Sequence, residues 1–87
     1  MNTFHLIVAG PSGNHYDGQA GSILLRASEG DLAVMAGHIP MMTTVKAGDC
    51  RITCPDGTER VGKTDGGLLT VAEDAVTLLS GSFQWNN

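Results

Sequence analysis

The sequence predicts a small all-β sandwich. Three observations carry this. Glycine supplies 12 of 87 residues, about twice the usual fraction of roughly 7%. Turn signals recur at intervals of about ten residues or fewer, as in short-stranded sandwiches. Between them, apolar residues alternate with polar ones at period two, which places alternate side chains on one face of a strand.

The elements follow in order. Phe4, Leu6 and Val8 alternate with Thr3, His5 and Ile7, a first strand. Gly10-Pro11-Ser12-Gly13 closes it, and Asp17-Gly18 reads as a further turn. Leu24 and Arg26 alternate with Ile23, Leu25 and Ala27, up to a turn at Ser28-Glu29-Gly30-Asp31. After the turn Ala36-Gly37-His38, Met41, Thr43 and Val45 share one strand face and Met42 and Thr44 the other. Ala47-Gly48-Asp49 reads as a turn. Arg51-Ile52-Thr53 then passes through Pro55-Asp56-Gly57 into Thr58-Glu59-Arg60-Val61, a hairpin. Asp65-Gly66-Gly67 reads as one more turn. From Leu68 to Leu79 there is no Gly or Pro. Two strands joined at Glu73-Asp74 fit, favoured by Val71, Val76 and Thr77. Leu68, Val71, Ala72, Ala75 and Leu79 also fit a helical face.

Length and charge exclude several classes. Eighty-seven residues make one small domain, residues 1–87, with no linker, repeat or low-complexity tract. Hydrophobic residues reach 41%, enough for a core. The net charge of −4 argues against nucleic acid as a partner, since phosphate binding needs a cationic surface. No apolar run approaches the ~20 residues of a membrane helix. The Met-Asn-Thr-Phe-His start has no basic segment leading into an apolar one, so no secretory signal is visible.

Catalytic and metal chemistry find no support. Cys50 and Cys54 on one strand would have Cα atoms roughly 13 Å apart, beyond the ~7 Å limit of a disulfide. They read as reduced thiols, as in a cytosolic chain. His5, His15 and His38 do not stand at ligand spacing, so no metal site and no cofactor is expected. Gly10-Pro11-Ser12-Gly13 lacks the lysine and length of a phosphate loop. A small hydrolase using Ser, His and Asp would need a cleft bringing His15 or His38 to an exposed serine, and no nucleophile-elbow signature appears. Glu29 and Asp31 flank Gly30 as a solvated turn, or as an acidic knob for a basic or polar partner loop. Met35, Met41 and Met42 cluster around Gly37-His38-Ile39-Pro40, and methionine recurs at adaptable contact surfaces. An interaction module is therefore favoured over an enzyme.

The run from Ser28 to Thr43, with Glu29-Gly30-Asp31-Leu32 and Gly37-His38-Ile39-Pro40-Met41-Met42-Thr43, resembles the signature of the epsilon subunit of F-type ATP synthases. That signature reads approximately E-G-E-L-G-(apolar)-x-P-G-H-A-P-(apolar)-(apolar)-T. Pro11-Ser12-Gly13 and Tyr16-Asp17-Gly18 resemble the family's early turns. Val45-Lys46-Ala47-Gly48 with Arg51-Ile52, Gly66-Gly67-Leu68-Leu69-Thr70-Val71, and Val76-Thr77-Leu78-Leu79 resemble later segments in the same order. The resemblance covers about residues 4 to 79. It implies a ten-stranded β-sandwich of the epsilon N-terminal type, with two strands over 68–79.

The resemblance also implies a role: a non-catalytic element of the central stalk that binds the gamma subunit and the c-ring, turns with them, and couples ion-driven rotation to ATP synthesis on alpha and beta. The coupling ion, proton or sodium, is selected in the c-ring. Glu29, Gly30 and Asp31 are the implied c-ring-facing loop, with Asp31 foremost. Gly10, His38, Met42 and Thr43 are the implied gamma-facing residues. The implied location is peripheral, on the cytoplasmic face of a bacterial cell membrane, or on a plastid thylakoid. The sequence departs from the pattern at Asp31 (Glu in the family), Ala33 (Gly) and Ala36 (Pro). Its ending, Gly81 to Asn87, diverges, and the family's C-terminal two-helix hairpin, which can inhibit rotation, has no counterpart. That ending favours a naturally short subunit over a truncated one. The alternative role is a free-standing sandwich that binds a protein or ligand, with a concave pocket at Glu29–Pro40 or between the sheets.

Overall fold

A computed structural model describes residues 2–86; Met1, and Asn87 at the end of the divergent ending, lie outside the described residues. The described residues form eight strands: β1 (Phe4–Gly10), β2 (Gly13–Ala20), β3 (Ser22–Ala27), β4 (Gly30–Met35), β5 (Met41–Thr53), β6 (Glu59–Val71), β7 (Val76–Ser80) and β8 (Phe83–Trp85). They pair in the order β2-β1-β7-β6-β5-β3-β4, with β8 on β6. Pairing is antiparallel except between β1 and β7.

Two long strands turn this sheet into a sandwich. Thirteen extended residues reach about 40 Å, yet the longest dimension of the molecule is 29 Å. Both β5 and β6 must therefore bend. The bend is visible in their burial. Val45 is buried in the first half of β5, but Cys50 and Ile52 in the second, so the inward phase changes from odd to even. In β6 it changes from Gly62 and Thr64 to Leu69 and Val71. The two changes lie side by side, where Lys46 pairs with Gly66 and Gly48 with Thr64. Each long strand thus serves both layers. One layer is β2, β1, β7 and the adjoining halves of β6 and β5. The other is β4, β3, the remaining halves of β5 and β6, and β8. Counting halves separately gives five strands per layer, consistent with the ten-stranded expectation.

The core lies between the layers. Leu6, Val8, Leu69 and Leu78 from one layer meet Ile23, Leu25, Val34, Cys50 and Ile52 from the other, all essentially inaccessible. The described residues leave no buried side-chain nitrogen or oxygen without a hydrogen-bond partner. At the bend, the buried Thr64 and Ser80 hydroxyls bond at 2.6 Å, and Ser82 N–H donates to Asp65 at 3.0 Å.

Several expected turns are corrected. Asp17-Gly18 lies inside β2, opposite Ile7 and Leu6; an edge strand tolerates both residues because one side needs no partner. Ala47-Gly48-Asp49 and Asp65-Gly66-Gly67 lie inside β5 and β6. There glycine bends the strands instead of ending them. Gly67 shows why: a methyl group on it would overlap the Leu79 carbonyl. The 68–79 segment is two strands, the end of β6 and β7, and Ala72 N–H donates to Ala75 C=O at 3.0 Å in the turn between them. The 51–61 hairpin is as expected, with Gly57 N–H donating to Cys54 C=O at 2.9 Å. Asp56 accepts from both the N–H and hydroxyl of Thr58, which holds its carboxyl below the usual range. Strand β8 had no anticipating signal.

Candidate functional site

The first candidate region is the tip of the β3–β4 hairpin. Ser28 and Glu29 form the turn, and Gly30 opens β4 at a φ of 124°, a conformation suited to glycine. Glu29, Gly30 and Asp31 are exposed. The Glu29–Pro40 segment is not one loop, because residues 30–35 are β4. Asp31 sits across from Arg26 and forms a 3.7 Å ion pair with it. Ser28 N–H donates to Thr44 C=O at 3.0 Å, which ties the tip to β5.

The second region is spread over the layer that contains β1. Met42 points outward and is 66% exposed. Its row runs through Thr70 on β6, Thr77 on β7 and Ile7 on β1. The next row is Thr44, Leu68, Leu79 and Ala9, with Leu79 52% exposed. None of these eight side chains is charged. Thr43 lies on the opposite side of β5 from Met42, half-buried, its hydroxyl 3.5 Å from that of Ser28. Gly10 ends β1 beside His15 and the Ser80 carbonyl. His38 lies beyond the other end of β1, about 20 Å away by strand length. Its N–H donates to Met35 C=O at 3.2 Å, and its Nδ1 is 2.9 Å from the Ile39 carbonyl, so Nδ1 carries the proton in that contact. A groove of about 360 Å³ runs under this loop, floored by Phe4, Val71 and Val76. Met42 thus belongs to a continuous face, Gly10 and His38 lie at its two ends, and Thr43 faces elsewhere. Leu68 and Leu79, its apolar partners, were not singled out from sequence. The two-strand reading of 68–79 already places them on the face opposite the buried Leu69 and Leu78, with which they alternate.

The outer face of the other layer has opposite chemistry. It carries Arg26, Asp31, Asp49, Arg51, Glu59 and Lys63, all exposed. Arg51 bonds Glu59 at 3.0 Å, and Asp49 sits across from Lys63. The charges are interleaved and largely self-compensated.

The seam where β2 meets β8 is closed by aromatic contacts. His15 and Phe83 centroids lie 5.3 Å apart, Phe83 and Trp85 5.0 Å, and Arg60 stacks 3.8 Å from the Trp85 centroid. The Tyr16 hydroxyl donates to Gln19 C=O at 2.6 Å. Burial, and then the neighbouring Cys54, push the Tyr16 phenol above its usual pKa. Among the described residues there is no group of three or more His, Cys, Asp or Glu that could hold a metal. His5 instead meets Asp17 at 2.6 Å. Cys50 and Cys54 are free thiols, and burial pushes Cys50 up to about 11.

The family model for the ATP synthase delta/epsilon chain β-sandwich domain matches residues 3–86. The chain belongs to this family. An ATP synthase epsilon chain from Psychrobacter sp. (strain PRwf-1) is 40% identical to this delta/epsilon-type domain over 65 residues, 75% of the chain and 47% of that relative. A chain in the Euglena gracilis mitochondrial ATP synthase OSCP/F1/c-ring structure superposes with a TM-score of 0.89 at 18% identity, covering 95% of this chain and 53% of that one. One in the Tetrahymena thermophila mitochondrial ATP synthase central stalk/c-ring gives 0.77 at 12% identity, covering 94% and 66%. These two likenesses establish the delta/epsilon sandwich fold. The domain spans about half the length of the epsilon chain it matches.

Proposed function

We propose that this domain acts as the epsilon subunit of an F-type ATP synthase, a non-catalytic joint of the central stalk between gamma and the c-ring. The observation that carries the reading is the contrast between its two outer faces. The centre of one face, Ile7, Met42, Leu68 and Leu79, is uncharged, with Asp17 at its β2 margin, while the other face is charged throughout and compensates its own charges. An exposed apolar sheet face rimmed by polar residues marks a protein contact, so the Met42 face is assigned to gamma, with Gly10 and His38 at its ends. Thr43 would reach gamma only from the rim of β5. The Glu29–Gly30–Asp31 tip, acidic and exposed, is assigned to polar loops of the c-ring. A rotor joint must carry torque without slipping, and a sandwich with a filled core provides a stiff body. In this reading the domain is peripheral to the membrane, on the cytoplasmic face of a bacterial cell membrane, and coupling of ion flow to ATP synthesis runs through it without chemistry of its own.

The test is capture from detergent-solubilised membranes of the source organism with a tagged chain. Recovery of gamma with alpha, beta and c is expected. Leu79→Lys should abolish that recovery while leaving the thermal unfolding midpoint within a few degrees, because Leu79 is half exposed. Asp31→Ala should keep gamma and lose cross-linking to the ring. A tagged wild-type chain that recovers no ATP synthase subunit would overturn the assignment.

A further inference from the structure

The net charge of −4 is not spread evenly over the molecule. Asp17, Asp31, Asp56, Glu59 and Asp65 are each held by a neighbour, namely His5, Arg26, Thr58, Arg51 and Ser82 in turn. Asp49 sits across from Lys63. Among the described residues, Glu29, Glu73 and Asp74 meet no such group. Glu73 and Asp74 stand together in the turn between β6 and β7, both exposed. Two grooves flank that turn. The one under the His38 loop, about 360 Å³, has the apolar floor of Phe4, Val71 and Val76, with Glu73 on its wall. The other, about 320 Å³, is lined by Thr3, His5, Gln19, Glu73 and Asp74. Phe4, Gly37, Ala72, Glu73 and Val76 line both, so the two adjoin across this end of the sandwich. No lysine or arginine lines either one. Arg26, Arg51 and Lys63 lie on the other outer face, Arg60 on Trp85, and Lys46 at the bend. His5 lies against Asp17, so that pair brings no net positive charge.

We propose that this pair of grooves receives a lysine or arginine side chain of the gamma subunit, its aliphatic stem on Phe4, Val71 and Val76 and its cation at Glu73 and Asp74. The inference rests on the epsilon reading and names the chemistry of gamma's contact at this end. Charge and shape together select the occupant. A long cationic side chain lays its methylenes on apolar surface and keeps its charge at the rim, which is the arrangement of floor and wall here. A metal ion would leave the apolar floor unused, and no group of three ligands stands among the described residues to hold it. Position selects the partner. Val71 follows Thr70 on β6 and Val76 precedes Thr77 on β7, so the floor adjoins the Met42 row assigned to gamma. The uncharged centre of that face supplies contact area but little orientation. One cation held at its end fixes the register of the two bodies, the usual role of charge at an interface.

Capture of gamma from detergent-solubilised membranes by the tagged chain, followed by elution with increasing salt, tests this. The wild-type chain should hold gamma. Glu73→Lys should lower the gamma recovered at low salt about tenfold or more, since like charges then face each other. Asp74→Lys should act in the same direction. The deficit should narrow near 1 M salt, where screening acts over about 3 Å. Asp49→Lys, the same change of charge on the other outer face, should leave recovery unchanged. All three positions are exposed, and an unchanged thermal midpoint checks that each variant is folded. Wild-type levels of gamma on Glu73→Lys would overturn this inference and leave the epsilon reading standing. So would an equal loss with Asp49→Lys, which would reduce the effect to net charge, or a loss that persists undiminished at 1 M salt. A wild-type chain that recovers no gamma would overturn the epsilon reading, and this inference with it.

Discussion

At the scale of single residues, the tightest constraints sit where backbones approach. Gly67 lies under the Leu79 carbonyl and Gly62 under the Phe83 ring, and a Cβ at either would overlap those atoms. Gly67→Ala meets backbone, which cannot rotate away, whereas at Gly62 a side chain is in the way. Gly67→Ala should cost about 3 kcal/mol or more, a large part of a domain stability of roughly 5–15 kcal/mol, read as a lower urea midpoint. Cys50 gives a pH prediction. Its thiol has no accessible surface and its pKa is raised from 9.0 to about 11. Between those values the unfolded chain loses the proton and the folded chain keeps it. Stability is therefore fully present below pH 9 and falls as pH rises toward 11, by at most about 1.4 kcal/mol per unit. Urea titrations at pH 8 and 10.5 should show the loss, and Cys50→Ala should remove it. At pH 8, an alkylating reagent should label Cys54 and spare Cys50 until the chain unfolds.

At the scale of elements, β8 is the piece most dependent on side chains. It makes three cross-strand pairs, with Gly62, Lys63 and Thr64, so its place is held by Phe83 in the core and Trp85 under Arg60. Phe83→Ala should cost about 3 kcal/mol, and Arg60→Ala about 0.5–1 kcal/mol. Trp85 is the sole tryptophan, so its emission should shift red in both variants if β8 loosens. An unshifted spectrum in Phe83→Ala would mean that β8 is held by its backbone pairs alone. The elements also show what the sequence makes legible. The 51–61 hairpin and the split of Met41 from Met42 were readable because turn chemistry and alternation are local. The bends at Gly48 and Gly66-Gly67 were not, because a glycine that bends a strand and one that ends it look alike locally. Only the pairing of Lys46 with Gly66 and Val45 with Gly67 separates the two cases. The candidate site divides the same way. Met42 and His38 stood in a recognisable run, while Leu68 and Leu79 lay in a segment expected as two strands, where alternation between apolar residues on both faces does not show which face is left outside.

At the scale of the whole molecule, closure is non-local. Strand β1 joins the sheet by parallel pairing with β7, Leu6 opposite Val76 and Val8 opposite Leu78, so nearly the full chain lies between the paired residues. Closing such loops costs entropy before contacts return it, and all-β sandwiches fold in milliseconds to seconds for that reason. Refolding followed by Trp85 emission should fall in this range. The long β5–β6 pairing is continuous in sequence through the 54–58 turn, so it can form first and offer both layers an edge. Strand β7 adds next through its short turn, and β1 needs β7 in place. Strand β8 depends on the finished seam with β2. Leu78 lies where β7, β6 and β1 meet, and Leu78→Ala should therefore slow folding. Phe83→Ala should chiefly speed unfolding, because its contacts form late. Folding and unfolding rates against urea concentration separate the two effects. Equal slowing of folding by both variants would place β8 in the nucleus and reverse this order of assembly.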